Sequence, residues 1–173
     1  MKVALVGFMG TGKTCIGRVL ARELNFDFVD IDKIIENKTD ISISKIFALH
    51  GEEYFRTLES EVLRQIVEED RDLVIATGGG IVLKENNIKL LKKQTFPVLL
   101  QASSVVINER IDGSQRPLLQ YSDPITKIEN LMSKRKPYYN QFQIRVNTDY
   151  KNPNEIVSEI LSLLEGIKND NNV

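Results

Sequence analysis

The chain has 173 residues, 42% hydrophobic and 27% charged, with a net charge of −1 and a pI near 5.9. That length suits one domain with a proper core, and the composition is that of a soluble globular protein. The near-neutral charge argues against a broad nucleic-acid surface, which needs a basic excess, and no apolar run approaches the ~18 residues of a membrane span.

Cys15 is the sole cysteine, so an intrachain disulfide and a Cys-based zinc site are both excluded, which favours a reducing compartment. Cys15 itself is expected to be a small packing residue. Lys2 and the apolar residues after it imitate the start of a signal peptide, but glycines and Lys13 break that run early. The expected location is the cytoplasm.

Val3-Ala4-Leu5-Val6 reads as a strand buried on both faces. It leads into Gly7-Phe8-Met9-Gly10-Thr11-Gly12-Lys13-Thr14, a complete G-x-x-x-x-G-K-[ST] pattern that runs on into a helical one. In this phosphate-binding P-loop, backbone N–H groups around Gly10, Thr11 and Gly12 turn inward, and the helix start adds unpaired donors and a positive dipole end. Lys13 is then expected to reach the β- and γ-phosphates, and Thr14 to ligate the Mg²⁺ that travels with ATP. A plain glycine-rich turn would not need all eight positions of the pattern.

The helix is expected over residues 13–24, with Ile16, Val19, Leu20 and Leu24 facing the sheet. A second strand, residues 26–30, ends in Asp30-Ile31-Asp32, at the strand end where open α/β sheets keep ligands. One carboxylate of this pair can serve a metal and the other an acceptor hydroxyl; alternatively both cap the next helix. Residues 34–44 carry a weak signal, with 37–40 read as a loop. A short helix follows, ending at Gly51, where His50 is expected to cap it. Residues 52–69 form a long helix with a core stripe of Phe55, Leu58, Val62 and Ile66, and Arg56 lies off that stripe.

A third strand, residues 73–76, empties into Thr77-Gly78-Gly79-Gly80, where backbone must approach a ligand or another segment closely. Residues 84–93 read as an exposed helix and 96–101 as the fourth strand. Ser103 or Ser104 caps a helix through Arg110. The polar segment 112–123, with Gly113, Arg116 and Pro117, has the length and character of a lid. In the helix over residues 124–136, Arg135 falls on the apolar face of Ile128, Leu131 and Met132, so its head must reach solvent or turn into a cleft toward an anion. A fifth strand over 143–147, a helix begun by Asn152-Pro153 and a polar tail complete the chain. Alternating strands and helices behind a P-loop predict an α/β fold, a parallel five-stranded sheet flanked by helices.

These residues resemble a family. Gly7 to Thr14, Asp30-x-Asp32, Gly51-Glu52-x-x-Phe55-Arg56-x-x-Glu59, Gly78-Gly79-Gly80, Arg116-Pro117-Leu118-Leu119 and Arg135-x-Pro137-x-Tyr139 occur in order, as in shikimate kinases. The resemblance covers residues 2–164 and is specific as a set, although each piece is weak alone. It implies a nucleoside monophosphate kinase-like P-loop fold in one domain, with a substrate-binding insertion near 32–60, a lid near 112–124 and a tail near 167–173. The implied reaction moves the γ-phosphoryl group of ATP to the 3-hydroxyl of shikimate, on the route to chorismate and the aromatic amino acids. Asp32 is the implied base and holds the acceptor hydroxyls, while Asp30 and Thr14 hold Mg²⁺. Arg56 and Arg135 clamp the shikimate carboxylate beside Gly78, Gly79 and Gly80. Lys13 and Arg116 meet the transferred phosphate, and Arg110 and Pro153 flank the adenine. The protein is expected to act as a monomer on small molecules.

Two positions depart from the family pattern: Asp40 stands where Gly is common, and Lys45 where Glu is common. The third strand ends in Ala76-Thr77 without an acidic residue, consistent with Asp30 taking the metal role. Other readings are a kinase for gluconate or a nucleoside monophosphate, and a nucleotide-binding module without catalysis.

Overall fold

A computed structural model describes residues 1–111 and 124–170, with side chains described to residue 166. The expected lid, with Arg116 in it, lies outside the described residues. Five parallel strands form one sheet: β1 (Lys2–Gly7), β2 (Asp27–Asp30), β3 (Leu73–Ala76), β4 (Phe96–Gln101) and β5 (Ile144–Asn147). Their order is β2-β3-β1-β4-β5, with Leu5 opposite both Ala76 and Val98. The chain crosses from β1 to the far edge and then returns, so the carboxyl end of β1 opens between two neighbours that depart in different directions. That crevice is where such sheets place ligands.

Helices cover both faces. Val3 and Leu5 point to the side packed by α1 (Lys13–Leu24) and α7 (Pro153–Asp170), through Ile16, Leu20, Ile156 and Ile160. Ala4 and Val6 point to the opposite side. There they meet α3 (Ile43–Glu68), α4 (Glu85–Gln94), α5 (Ser104–Arg110) and α6 (Pro124–Tyr139). On α3 the fully enclosed Leu63 and its neighbours Val62 and Ile66 each contribute about 1.5–3 kcal/mol of burial free energy. Among the described residues no helix is long and apolar enough to cross a membrane.

Three local expectations are corrected. Residues read as a weak segment and loop instead form α2 (Ile31–Thr39). The Asp30 carboxylate accepts from the N–H groups of Asp32 and Lys33 and starts this helix, and Ile31 and Ile35 bury one face while the polar face masks the periodicity. The helix expected to be exposed is α4, which buries Ile88, Leu91 and the side chain of Asn87, whose Nδ2 donates to the Ile81 carbonyl. Cys15, expected to pack, is exposed, since Ile16, Gly17 and Leu20 supply the buried face of α1.

The departures at positions 40 and 45 have local explanations. Asp40 closes α2 in the left-handed region with φ 56°, which glycine favours and Asp tolerates. Lys45 sits three residues after the N-cap Ser42, where a Glu would complete a capping box. Here Glu36 of α2 provides a carboxylate at that helix end by accepting from the Ile43 N–H at 3.1 Å. At Gly51 (φ 81°, ψ 173°) α3 kinks, so its first turns form a separate arm. His50, expected to cap that arm, lies beside Tyr54 with ring centroids 4.7 Å apart.

Candidate active site

The P-loop joins β1 to α1, with Gly12 in the left-handed region as the N-cap of α1. Thr11 is fully buried, and its hydroxyl donates to the Phe8 carbonyl at 2.8 Å. Lys13 Nζ donates to the carbonyls of Gly7 and Phe8, both at 2.8 Å, so the ammonium lies in the curl of the loop. Thr14 leaves α1 on its other side and donates to Asp30 Oδ2 at 2.7 Å, while Asp30 Oδ1 caps α2. One carboxylate thus links two helix starts and brings two hard oxygen donors together at the mouth of the loop, the chemistry that suits Mg²⁺. Among the described residues no group of three His, Cys, Asp or Glu side chains forms a metal cluster. A cation held there would complete its shell with water and nucleotide phosphates.

A cavity of about 490 Å³ opens beside this point. Thr14 and Asp30 line one end; Asp32, Arg56, Glu59, Arg135 and the backbone of Gly78, Gly79 and Gly80 line the rest, with Met9, Phe47 and Phe55 as apolar wall. The two arginines come from different helices and are 6% and 5% exposed, far below what solvated surface side chains would show. Arg56 Nη2 reaches Glu52 Oε1 at 2.8 Å, Nη1 pairs with Glu59, and Cζ lies 5.1 Å from the Phe55 ring centroid. Arg135 Nη1 donates to the Gly79 carbonyl at 3.0 Å, and its Cζ stands 5.4 Å from the Phe8 ring centroid. Of the five N–H groups on each guanidinium, Arg56 uses three and Arg135 one in the bonds above and from Arg56 Nε to Glu52, which among the described residues leaves donors for a further partner.

Glycine is required along this wall. A Cβ at Gly78 would lie 2.0 Å from Glu59 Oε1 and 2.9 Å from Asp32 Oδ1, and one at Gly79 would lie 3.0 Å from the Met9 nitrogen. The β3 exit therefore presses against α2, α3 and the P-loop together.

Burial drives the Glu59 carboxyl up to about 7; the Arg56 guanidinium pulls it back down, and the charge of Asp32 adds to the rise. Burial works against the charge of Arg56, yet Glu59 and Glu52 outweigh it and raise its pKa. Burial pushes the Tyr139 phenol up to about 12.

Arg110 and Pro153 stand apart from the cavity. Arg110 donates to Thr148 Oγ1 at 3.0 Å and to the Thr148 carbonyl at 2.6 Å, with a longer 3.5 Å contact to the Gly10 carbonyl. It ties the P-loop to the segment after β5, five residues before Pro153 opens α7. Glu59 and Tyr139 also belong to the site, although residue spacing assigns them no role. Like Arg135, Glu59 is a charged residue on an apolar helix face, four residues after Phe55 on the core side of α3, and that is the signal by which the sequence marks it.

The sequence model described as "Shikimate kinase" matches residues 9–165. A shikimate kinase of Thermodesulfovibrio yellowstonii is 43% identical over 168 residues, 96% of each chain. One of a Sulfurihydrogenibium species is 44% identical over 164 residues, 94% of this chain and 97% of that one. Among solved structures, shikimate kinase from Acinetobacter baumannii in complex with shikimate aligns with a TM-score of 0.92 at 36% identity, covering 96% of this chain and 94% of that one. A gluconokinase from Sinorhizobium meliloti aligns at 0.63 with 17% identity and so shares the fold alone. Matched by that family over residues 9–165 and by a 43% identical relative along nearly its whole length, this chain belongs to the shikimate kinase family.

Proposed function

We propose that this protein transfers the γ-phosphoryl group of ATP to the 3-hydroxyl of shikimate, giving shikimate 3-phosphate and ADP for the route to chorismate and the aromatic amino acids. The observation that carries the reading is that Thr14 and Asp30, at the mouth of the P-loop, line the same cavity as two buried arginines and Asp32. Donor and acceptor meet in one chamber. An acid bearing several hydroxyls suits it, because arginine forks meet a carboxylate while carboxylates and backbone donors meet alcohols.

In this reading Arg56 and Arg135 hold the shikimate carboxylate, with Gly78, Gly79 and Gly80 giving close backbone contacts. Asp32, in the first turn of α2, orients the 3-hydroxyl and takes its proton as the oxygen attacks. Lys13 neutralises the β- and γ-phosphates, and the N–H groups of Gly10, Thr11 and Gly12 cradle them. Thr14 and Asp30 hold Mg²⁺, which neutralises phosphate charge when bound. Arg110 and Pro153 flank the adenine. Arg116, outside the described residues, stabilises charge on the transferred group. The chain works as a single-domain cytoplasmic monomer, with residues 32–60 forming the acceptor-binding insertion and 167–173 a polar tail.

The test is ADP release with ATP, Mg²⁺ and a panel of shikimate, gluconate and nucleoside monophosphates. Shikimate is expected to raise ADP formation far above the ATP-only blank, and a rate equal to that blank would overturn the reading. Preference for gluconate would assign a different acceptor to the same chamber.

A further inference from the structure

We propose that Tyr139 is a positioning residue for the acceptor: its buried hydroxyl fixes the Gly79 carbonyl and thereby sets the pose of both the Arg135 guanidinium and the Gly79–Gly80 peptide. This rests on the reading of the cavity as the shikimate site.

Tyr139 Oη donates to the Gly79 carbonyl at 2.6 Å, and Arg135 Nη1 donates to the same oxygen at 3.0 Å. The two residues are one turn apart on α6, and both are buried. Their shared acceptor lies on the β3 exit, so a single atom joins α6 to the glycine wall. A carbonyl oxygen has two lone-pair sites, and these two donors fill both.

Two consequences follow from that saturation. The Gly79 carbonyl has no capacity left for an acceptor hydroxyl, so what this peptide offers is the Gly80 N–H, which in a trans peptide points opposite to the carbonyl. The peptide thus recognises an oxygen lone pair, and hydroxyl protons are left to carboxylates such as Asp32. The second consequence concerns Arg135. Its guanidinium leans on a carbonyl that Tyr139 holds still, and a fork aimed at a carboxylate is sensitive to displacements of about 1 Å. With its phenol pushed up to about 12, Tyr139 remains a donor across the working pH range.

The test is Tyr139→Phe, which removes one oxygen and leaves the Gly79 carbonyl bonded to Arg135, so no buried group is orphaned. The shikimate KM is expected to rise about five- to twentyfold while the ATP KM stays within about twofold. Installing 4-aminophenylalanine at position 139 keeps a donor and is expected to restore the shikimate KM, whereas 4-fluorophenylalanine, close in shape but without a donor, is expected to match Tyr139→Phe. If the Phe variant does not fold, the amino and fluoro pair reads the same contrast. An unmoved shikimate KM, equal rises for both substrates, or equal behaviour of the amino and fluoro variants overturns the role of Tyr139. Absence of shikimate turnover by the wild type would instead overturn the functional reading, so the two failures are distinguishable.

Discussion

Arg56 fills the space left open by the missing side chain of Gly80: a Cβ at position 80 would stand 2.3 Å from Arg56 Cζ. The guanidinium cannot simply swing aside, because it is paired with the fully buried Glu59 and with Glu52. Gly80→Ala is therefore expected to displace Arg56 and raise the shikimate KM by at least about tenfold, with a stability loss of about 1–3 kcal/mol from overpacking. Steady-state kinetics and thermal denaturation measure the two effects. A folded variant with wild-type shikimate KM would mean that Arg56 does not meet the acceptor.

Arg135 tests the other half of the clamp. Arg135→Lys keeps the charge but loses the planar fork that holds the Gly79 carbonyl and that the proposed function aims at the acceptor. The shikimate KM is expected to rise about tenfold or more, and the ATP KM to stay near wild type. An unchanged KM for shikimate would remove Arg135 from the clamp.

The two aspartates at the end of β2 should separate. Asp32→Asn is expected to depress kcat by about 10²–10⁴ while leaving ATP affinity nearly intact, the signature of a group that acts on the reacting hydroxyl. Asp30→Ala removes the N-cap of α2 and the partner of Thr14. It should cost about 0.5–2 kcal/mol of stability and raise the Mg²⁺ concentration needed for half-maximal rate. Titrating Mg²⁺ against each variant distinguishes them; equal Mg²⁺ dependence would detach Asp30 from the metal.

Much of this architecture was legible in the residues. Val3 to Val6, Leu73 to Ala76 and Phe96 to Gln101 are near-continuous apolar runs because parallel strands are buried on both faces, and the P-loop fixed which strand end carries the site. Arg135 announced itself by standing on an apolar face. What stayed hidden depended on contacts between segments. The start of α2 is made by a carboxylate that also serves Thr14, so the pair Asp30 and Asp32 read as chemistry while its capping role stayed an alternative. Glu59 and Tyr139 acquire roles only when α3 and α6 are packed against the β3 exit, and residue spacing along one helix cannot display that meeting.

Glu59 makes the last prediction, through pH. Its folded-state carboxyl lies near 7 against an ordinary value of 4.5, chiefly because it is buried. Between these values the folded protein binds a proton that the unfolded chain does not, so the contribution of Glu59 is fully present below 4.5 and is lost as pH rises through 7. The full span is on the order of 3 kcal/mol. Glu59→Gln has no such titration, so the stability of wild type relative to this variant is expected to fall from pH 5 to pH 8, measured by urea unfolding at each pH. The slope is diagnostic. If attraction to Arg56 outweighed burial, the carboxyl would be depressed below 4.5 instead, both states would be ionised above pH 5, and the difference would stay nearly flat from pH 5 to pH 8 and shrink only as pH falls below 4.5. A flat difference over that range would thus assign Glu59 to a charged pair with Arg56, and a falling one to a neutral carboxyl at the back of the acceptor cavity.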